Sequence, residues 1–155
     1  MIIDHTTLIF FDASCLIAAA GSPTGGSGFL LALCTRKLLR VAVSQTVLLE
    51  VERNIQAKLG QQALRMYHRQ LLQAPLSVVP VPQTTHRQPW HGVINQKDEH
   101  VLAATLTCKA PFLLTLDRQL IAQVDQANLH LPGLTPGEFI KTVLIHHVEF
   151  PSLRT

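Results

Sequence analysis

The chain has 155 residues, which is typical of one domain and enough to bury roughly 70% of its unfolded surface. Hydrophobic residues make up 47% of it and charged residues only 15%, which excludes a disordered or fibrous protein and predicts a single domain over residues 1–155. The formal net charge of +3 permits an anionic partner such as nucleic acid but does not require one.

Cysteine usage and hydropathy predict the compartment. The three cysteines, Cys15, Cys34 and Cys108, lie in apolar helical patterns, which favours buried, reduced thiols over a disulfide framework. The longest apolar stretch falls well short of the ~20 residues that span a bilayer. We therefore expect a cytoplasmic protein without a membrane partner.

The first half of the chain alternates short strands with helices. Residues 7–11 form an apolar run that predicts a central parallel strand buried on both faces. A helix is predicted at 13–20, followed by a glycine-rich loop at 21–28 and a second helix at 29–39. A brief strand at 40–43 and two further helices at 44–59 and 61–73 complete this half.

The second half continues this alternation after a long irregular segment at 82–96. Strands are predicted at 76–81, 112–116 and 129–131, and helices at 98–108, 118–127 and 135–145. Thr135 and Glu138 predict a capping box at the start of the last helix, and the tail after residue 146 is expected to be an extension or an oligomer contact. The alternation predicts an α/β fold whose parallel sheet, of four to five strands, has helices on both faces.

Three aspartates lie where an apolar run meets a predicted helix. Asp12 and Asp117 each follow a strand, and Asp98 opens a helix. Strand C-termini and helix N-termini share the sheet edge where ligands bind. Carboxylates ~4 Å apart repel by about 4 kcal/mol at an effective dielectric of ~20, whereas an N-cap gains only about 1 kcal/mol. Each aspartate alone is explained as an N-cap, but together they predict a divalent cation and a metal-dependent hydrolase.

A fourth acid is expected on the helix at 44–59. Glu50 and Glu52 flank its buried stripe on opposite sides, and either is also explained as a solvated helix charge. Periodicity leaves the choice between them open.

Other catalytic and metal-binding motifs fit the chain poorly. Ser27 stands where a phosphate-binding loop requires lysine. Ser14 stands where phosphatases that form an aspartyl-phosphate carry a second aspartate, so that mechanism is a minor alternative. The eight histidines lack the spacing of a zinc motif.

Four stretches in order resemble a PIN domain, a family that includes the VapC-type toxins of bacterial toxin–antitoxin pairs. They are Phe11-Asp12-Ala13-Ser14, Ser44 to Glu50, Asp98 to Ala104, and Leu114-Thr115-Leu116-Asp117. The resemblance spans nearly the whole chain. It implies a three-layer α/β/α sandwich with a Rossmann-like central parallel sheet, and an endoribonuclease that depends on Mg²⁺ or Mn²⁺.

The resemblance also implies the roles of the acids. Asp12, Glu50, Asp98 and Asp117 would form a catalytic quartet, in which the three aspartates bind the metal and Glu50 acts through water. Glu50 is preferred over Glu52 because it lies six residues after Ser44, a spacing common in these proteins.

Neighbouring polar residues are expected to support this site. Ser14 and Thr115 are expected to orient the carboxylates or to satisfy local backbone groups. Many PIN toxins carry an aspartate where this chain has Gln119, and its replacement argues against tight binding of a second metal. Glu99 would either compensate for that loss or complement the dipole of its helix.

Substrate and partner predictions complete the set. Lys97, Arg118 and Arg87 are expected to bind phosphates of an RNA substrate. Trp90 and His91 would stack on an unpaired base, unless Trp90 packs its loop against the core. An antitoxin protein and a homodimer are implied partners. The alternatives are a degenerate PIN module that binds RNA or a protein without cleavage, and a PIN-type nuclease acting on DNA.

Overall fold

A computed structural model describes residues 1–153 of the chain. Its five-stranded sheet has the order β3-β2-β1-β4-β5, and every neighbouring pair is parallel. The strands are β1 (Leu8–Phe11), β2 (Arg40–Ser44), β3 (Ser77–Val79), β4 (Phe112–Leu114) and β5 (Gly133–Leu134). The helices are α1 (Ala13–Gly21), α2 (Gly26–Thr35), α3 (Gln45–Lys58), α4 (Gln61–Gln73), α5 (Thr84–Arg87), α6 (Glu99–Thr107), α7 (Arg118–Gln126), α8 (Pro136–Thr142) and α9 (Phe150–Leu153).

The prediction of an α/β fold with helices flanking a parallel sheet of four to five strands is confirmed. The central strand β1 explains why the apolar run was recognisable: Ile9, Phe10 and Phe11 are each 0% exposed. A parallel strand covered by helices on both faces must be apolar on both faces, so it shows no alternation with polar residues.

The order of the strands creates a crevice beside β1. The chain first adds β2 and β3 on one side of β1 and then returns to place β4 on the other side. Phe11 pairs with Leu114, and the backbone N–H of Asp12 donates to the Leu114 carbonyl over 3.0 Å. Residues that follow β1 and β4 therefore leave the sheet side by side, at the topological switch point where α/β proteins bind ligands.

The predicted glycine-rich loop at 21–28 was too long, because α2 already begins at Gly26. A Cβ at Gly28 would collide with the backbone of Pro23, so only glycine allows this tight start of the helix. The helix predicted at 29–39 correspondingly ends at Thr35. Gly28, one of the glycines that suggested a flexible loop, thus serves close packing.

The predicted fifth strand was also misplaced. Asn128 and His130 have positive φ angles of 55° and 56°, which an extended strand does not accommodate. The strand forms instead at Gly133–Leu134, beside β4. The segment predicted to be irregular contains α5 and a 3-10 turn at Gln88–Trp90, and the last helix ends at Thr142 rather than 145.

The tail after residue 146 packs on the body of the protein rather than extending from it. Ile3 forms a parallel bridge with His147, whose Nε2 lies 2.7 Å from the Leu38 carbonyl oxygen. Leu153 is 1% exposed. The predicted single domain over 1–155 stays a prediction, and residues 154 and 155 lie outside the described residues. Within residues 1–153 no single helix is long and apolar enough to cross a membrane; α1 and α2 meet the length and composition requirement only as a pair bent by 94°.

Candidate active site

A hydrogen-bonded cluster joins the ends of β1 and β4. The Thr115 hydroxyl donates to Asp12 Oδ2 over 2.8 Å and accepts the backbone N–H of Asp117 over 3.0 Å. The Ser14 hydroxyl donates to the same Asp12 oxygen over 3.3 Å and accepts the backbone N–H of Leu116 over 3.0 Å. These hydroxyls therefore fix the Asp12 carboxylate relative to the backbone that carries Asp117.

Asp12 and Asp117 both cap helices. Asp12 Oδ1 accepts the backbone N–H of Ala13 over 2.7 Å at the start of α1. Asp117 Oδ1 accepts the backbone N–H groups of Gln119 and Leu120 over 2.9 and 3.3 Å at the start of α7. The N-cap explanation therefore holds for these two residues, and capping places both carboxylates at the crevice.

The Asp12 carboxylate is more buried than is usual for a charged group, because the residue is only 7% exposed. Burial raises its pKa, and the negative charge of Glu50 raises it further, although hydrogen bonds from Thr115, Ala13 and Ser14 oppose the change. The charged form that a metal ligand requires is thus destabilised in the metal-free protein.

Asp98 behaves differently from the two caps. It is the N-terminal flanking residue of α6, but its side chain makes no capping hydrogen bond. Its Oδ2 is buried without a hydrogen-bond partner among residues 1–153. Burial, followed by the charges of Asp12 and Asp117, raises the pKa of Asp98 to about 6, while Lys97 and His100 act in the opposite direction.

The structure separates the two glutamates that periodicity left open. Glu50 is near enough to Asp12 for its charge to raise the pKa of that carboxyl. The charge of Glu52 instead raises the pKa of Tyr67 on α4. Glu50 Oε1 also lies 2.9 Å from Nε2 of His100, a residue of α6 that is 7% exposed. Sequence reasoning missed His100, because a pairing between α3 and α6 leaves no local pattern.

Among the described residues, the Glu99 carboxylate contacts Arg87 and His91 rather than the acidic cluster. The residue is 3% exposed, and its Oε2 lies 3.1 Å from Nε2 of His91 and 3.9 Å from a guanidinium nitrogen of Arg87. These contacts connect the start of α6 to α5 and the turn after it. The expectation that Glu99 would compensate for Gln119 therefore finds no support in the geometry.

The predicted phosphate-binding cations have unequal surroundings. Arg118 donates to Glu138 Oε1 over 2.9 Å, which engages its guanidinium with the capping box of α8, although 71% of the side chain is exposed. Arg87 is paired with Glu99 as described above. Lys97 is exposed and near enough to Asp98 to lower its pKa. Trp90 is partly buried against the core, in agreement with the packing interpretation rather than with base stacking.

The acids lie within electrostatic range of one another without forming a closed metal cage. Within residues 1–153, no group of three or more histidine, cysteine, aspartate or glutamate side chains is arranged to hold an ion. The donor set nevertheless fits Mg²⁺ or Mn²⁺, because it consists of carboxylate oxygens and one of them, Asp98 Oδ2, is buried without a partner. Mg²⁺ commonly keeps several waters and needs only one or two carboxylates directly.

Solved structures of low sequence identity share this fold. PAE2754 from Pyrobaculum aerophilum is similar with a TM-score of 0.62 and 16% identity, covering 87% of this chain and 94% of that one. VapC20 from Mycobacterium tuberculosis, described as a sarcin-ricin loop cleaving toxin, is similar with a TM-score of 0.55 and 19% identity. The match covers 74% of this chain and 93% of that one. VapBC2 from Rickettsia felis, bound to a DNA fragment from its promoter, is similar with a TM-score of 0.57 and 12% identity. The match covers 83% of this chain and 97% of that one. No curated protein sequence matches the chain significantly.

A family model provides the identification that structural likeness alone does not. The model described as the PIN domain matches residues 8–119, which include β1, β4 and all four acids of the crevice. Members of this family are generally nucleases that use divalent metals. The chain therefore belongs to the PIN domain family.

Proposed function

We propose that this protein is an endoribonuclease dependent on Mg²⁺ or Mn²⁺, and the toxin of a type II toxin–antitoxin pair. One observation carries the nuclease proposal: one oxygen of the Asp98 carboxylate, Oδ2, is buried without a hydrogen-bond partner among residues 1–153, beside the charges of Asp12 and Asp117. Such a group is costly in the metal-free protein, and a hard divalent cation is the partner that would offset the cost.

Asp12, Asp98 and Asp117 are the residues that would hold the cation. When bound, the cation would polarise a phosphoryl oxygen and lower the pKa of a coordinated water. Thr115 and Ser14 keep the Asp12 carboxylate oriented, so that no rotamer search is needed when substrate arrives. Glu50 would orient the attacking water through its free oxygen, because its other oxygen is occupied by His100.

Lys97 is the cation best placed to bind a substrate phosphate. It is exposed beside Asp98 and has no ion pair in the described part of the chain, whereas Arg118 and Arg87 are both paired with carboxylates. A phosphate bound here would lie next to the acidic cluster. Such contacts position a nucleic acid without reading its sequence.

The toxin proposal is supported by the likeness to VapC20 and VapBC2 and by the family membership. A toxin of this type would require an antitoxin protein that holds it inactive. Gln119 favours the second candidate function, a PIN module that binds RNA or a protein without cleavage, because an acid commonly occupies this position in PIN toxins.

A cleavage assay tests the proposal directly. The purified protein is incubated with structured RNA, single-stranded RNA and single-stranded DNA, in Mn²⁺ or in excess chelator, next to the variants Asp12→Asn and Asp125→Asn. Asp125 is an exposed acid of α7 and serves as the matched control. We expect Mn²⁺-dependent cleavage of RNA that Asp12→Asn abolishes and Asp125→Asn retains. Absence of cleavage, or an equally active Asp12→Asn variant, would overturn the proposal.

A further inference from the structure

We propose that His100 is a positioning residue that holds the Glu50 carboxylate at the acidic crevice. This inference rests on the proposed function, because it concerns the same site. The observation behind it is the 2.9 Å approach of His100 Nε2 to Glu50 Oε1, which connects α6 to α3 across the site. In the sequence, His100 directly follows Glu99 and lies two residues after Asp98.

Glu50 needs such a partner because its side chain is otherwise free to move. The side chain is 44% exposed, and no other hydrogen bond or ion pair to its carboxylate is present within residues 1–153. Ordering a glutamate side chain costs up to about 2 kcal/mol of rotamer entropy. The imidazole, by contrast, is 9% exposed and held in the body of the protein, so it supplies a fixed donor.

The hydrogen-bonding pattern of the imidazole indicates that the ring is placed here for its contact with Glu50. A carboxylate at Nε2 requires that this nitrogen carry the proton. The other nitrogen, Nδ1, is then buried without a hydrogen-bond partner among the described residues. An unpaired buried polar atom costs about 1–3 kcal/mol. Packing alone does not explain that cost, because the next three residues of α6 are apolar and even more buried than His100: Val101, Leu102 and Ala103.

The arrangement couples two acids that come from different parts of the chain. Asp98 and His100 lie together at the start of α6, whereas Glu50 belongs to α3. Through His100, the Glu50 carboxylate is fixed relative to the helix that carries Asp98. Partners that orient metal-site groups in this way are commonly worth 10- to 100-fold in metal affinity or activity, with the effect transmitted through the group they orient.

His100→Leu and His100→Gln provide the test, with His5→Leu as control. Leucine resembles the apolar neighbours and removes the donor together with the unpaired Nδ1; glutamine restores an N–H of similar reach. His5 is exposed and precedes β1, at the opposite end of the strand from Asp12. Three quantities are measured: the thermal melt, the Mn²⁺ dissociation constant by electron paramagnetic resonance of free Mn²⁺, and kcat and KM for RNA cleavage.

For His100→Leu we expect an unchanged or raised melting temperature, about 10- to 100-fold lower kcat with a nearly constant KM, and several-fold weaker Mn²⁺ binding. His100→Gln should recover most of both losses, and His5→Leu should match the unsubstituted protein. Wild-type kcat and Mn²⁺ affinity in His100→Leu would overturn the inference, as would equal losses in the leucine and glutamine variants, which would indicate a role in shape alone.

A double-mutant cycle with Glu50→Ala distinguishes positioning from an independent effect. Because His100 acts through Glu50, adding His100→Leu to Glu50→Ala should change Mn²⁺ affinity no further, whereas additive losses would overturn the inference. The Mn²⁺ measurement does not require cleavage. If the unsubstituted protein cleaves no RNA, the proposed function fails, and the cycle still decides whether His100 acts through Glu50.

Discussion

Replacing Asp98 by asparagine should stabilise the metal-free protein above pH 6. The folded-state pKa of Asp98 is raised from 3.8 to about 6, mainly by burial. Between these values the folded state binds more protons than the unfolded state, so the free energy of unfolding falls as the pH rises through this window. At about 1.4 kcal/mol per pKa unit, the charged carboxylate costs the folded protein at most about 3 kcal/mol at pH 8, and solvent screening at this partly exposed residue lowers that cost.

Part of this gain is lost in the variant, because the new amide also lacks a partner at the buried position of Oδ2. We therefore expect a net gain of about 1–2 kcal/mol, which corresponds to roughly 2–8 °C in melting temperature for a chain of this length. Near pH 4, where Asp98 is protonated in the folded state, the gain disappears and the variant should be no more stable than the unsubstituted protein.

The assay is a thermal melt of both proteins at pH 4, 6 and 8, in chelator and in Mn²⁺, with Asp125→Asn as control. Mn²⁺ at 100 times its dissociation constant stabilises the protein that binds it by about 2.7 kcal/mol. The order of the two melting temperatures should therefore reverse between the two conditions. The unsubstituted protein should melt higher in Mn²⁺, and the variant should melt higher in chelator. A variant that melts lower than the unsubstituted protein in chelator at pH 8, or that gains as much from Mn²⁺, would refute the reasoning.

Substitutions at three further positions test the geometry around the crevice. Asp12→Asn should abolish cleavage while leaving the melt unchanged or raised, because burial raises the pKa of this carboxyl; a loss of both activity and stability would contradict that view. Thr115→Val should lower the unfolding free energy by about 1–3 kcal/mol and reduce kcat, since its hydroxyl joins Asp12 to the Asp117 backbone, and Thr115→Ser should retain both. Ser44→Ala should cost about 1 kcal/mol in a denaturant melt, because the Ser44 hydroxyl accepts the Val47 N–H at the start of α3; no change would exclude this cap.

The parts of the fold that could be predicted from sequence are those that local patterns determine. Strand β1 was found because burial on both faces makes it wholly apolar, and the α8 start because Thr135 and Glu138 cap it reciprocally. Strand β5 could not be found in this way. It has two residues and exists only through its pairing with β4, so nothing in its own sequence distinguishes it from the adjoining turn.

The same distinction applies to the site. Asp12 and Asp117 were recognisable because each directly follows a strand, and the sheet then brings the strand ends together. Glu50 and Glu52 were not distinguishable by periodicity, since both flank the buried stripe of α3. The choice depends on which neighbour each helix face meets, and α6 with His100 lies 50 residues further along the chain.

The capping and metal-binding explanations of the aspartates are not mutually exclusive. A carboxylate oxygen has two lone pairs, so Asp117 can cap α7 through Oδ1 and still offer capacity to a cation. Capping therefore argues neither for nor against catalysis at Asp12 and Asp117. Asp98 distinguishes the two explanations, because it flanks a helix, makes no capping hydrogen bond, and keeps a buried oxygen without a partner. Capping therefore does not account for the position of the Asp98 carboxylate.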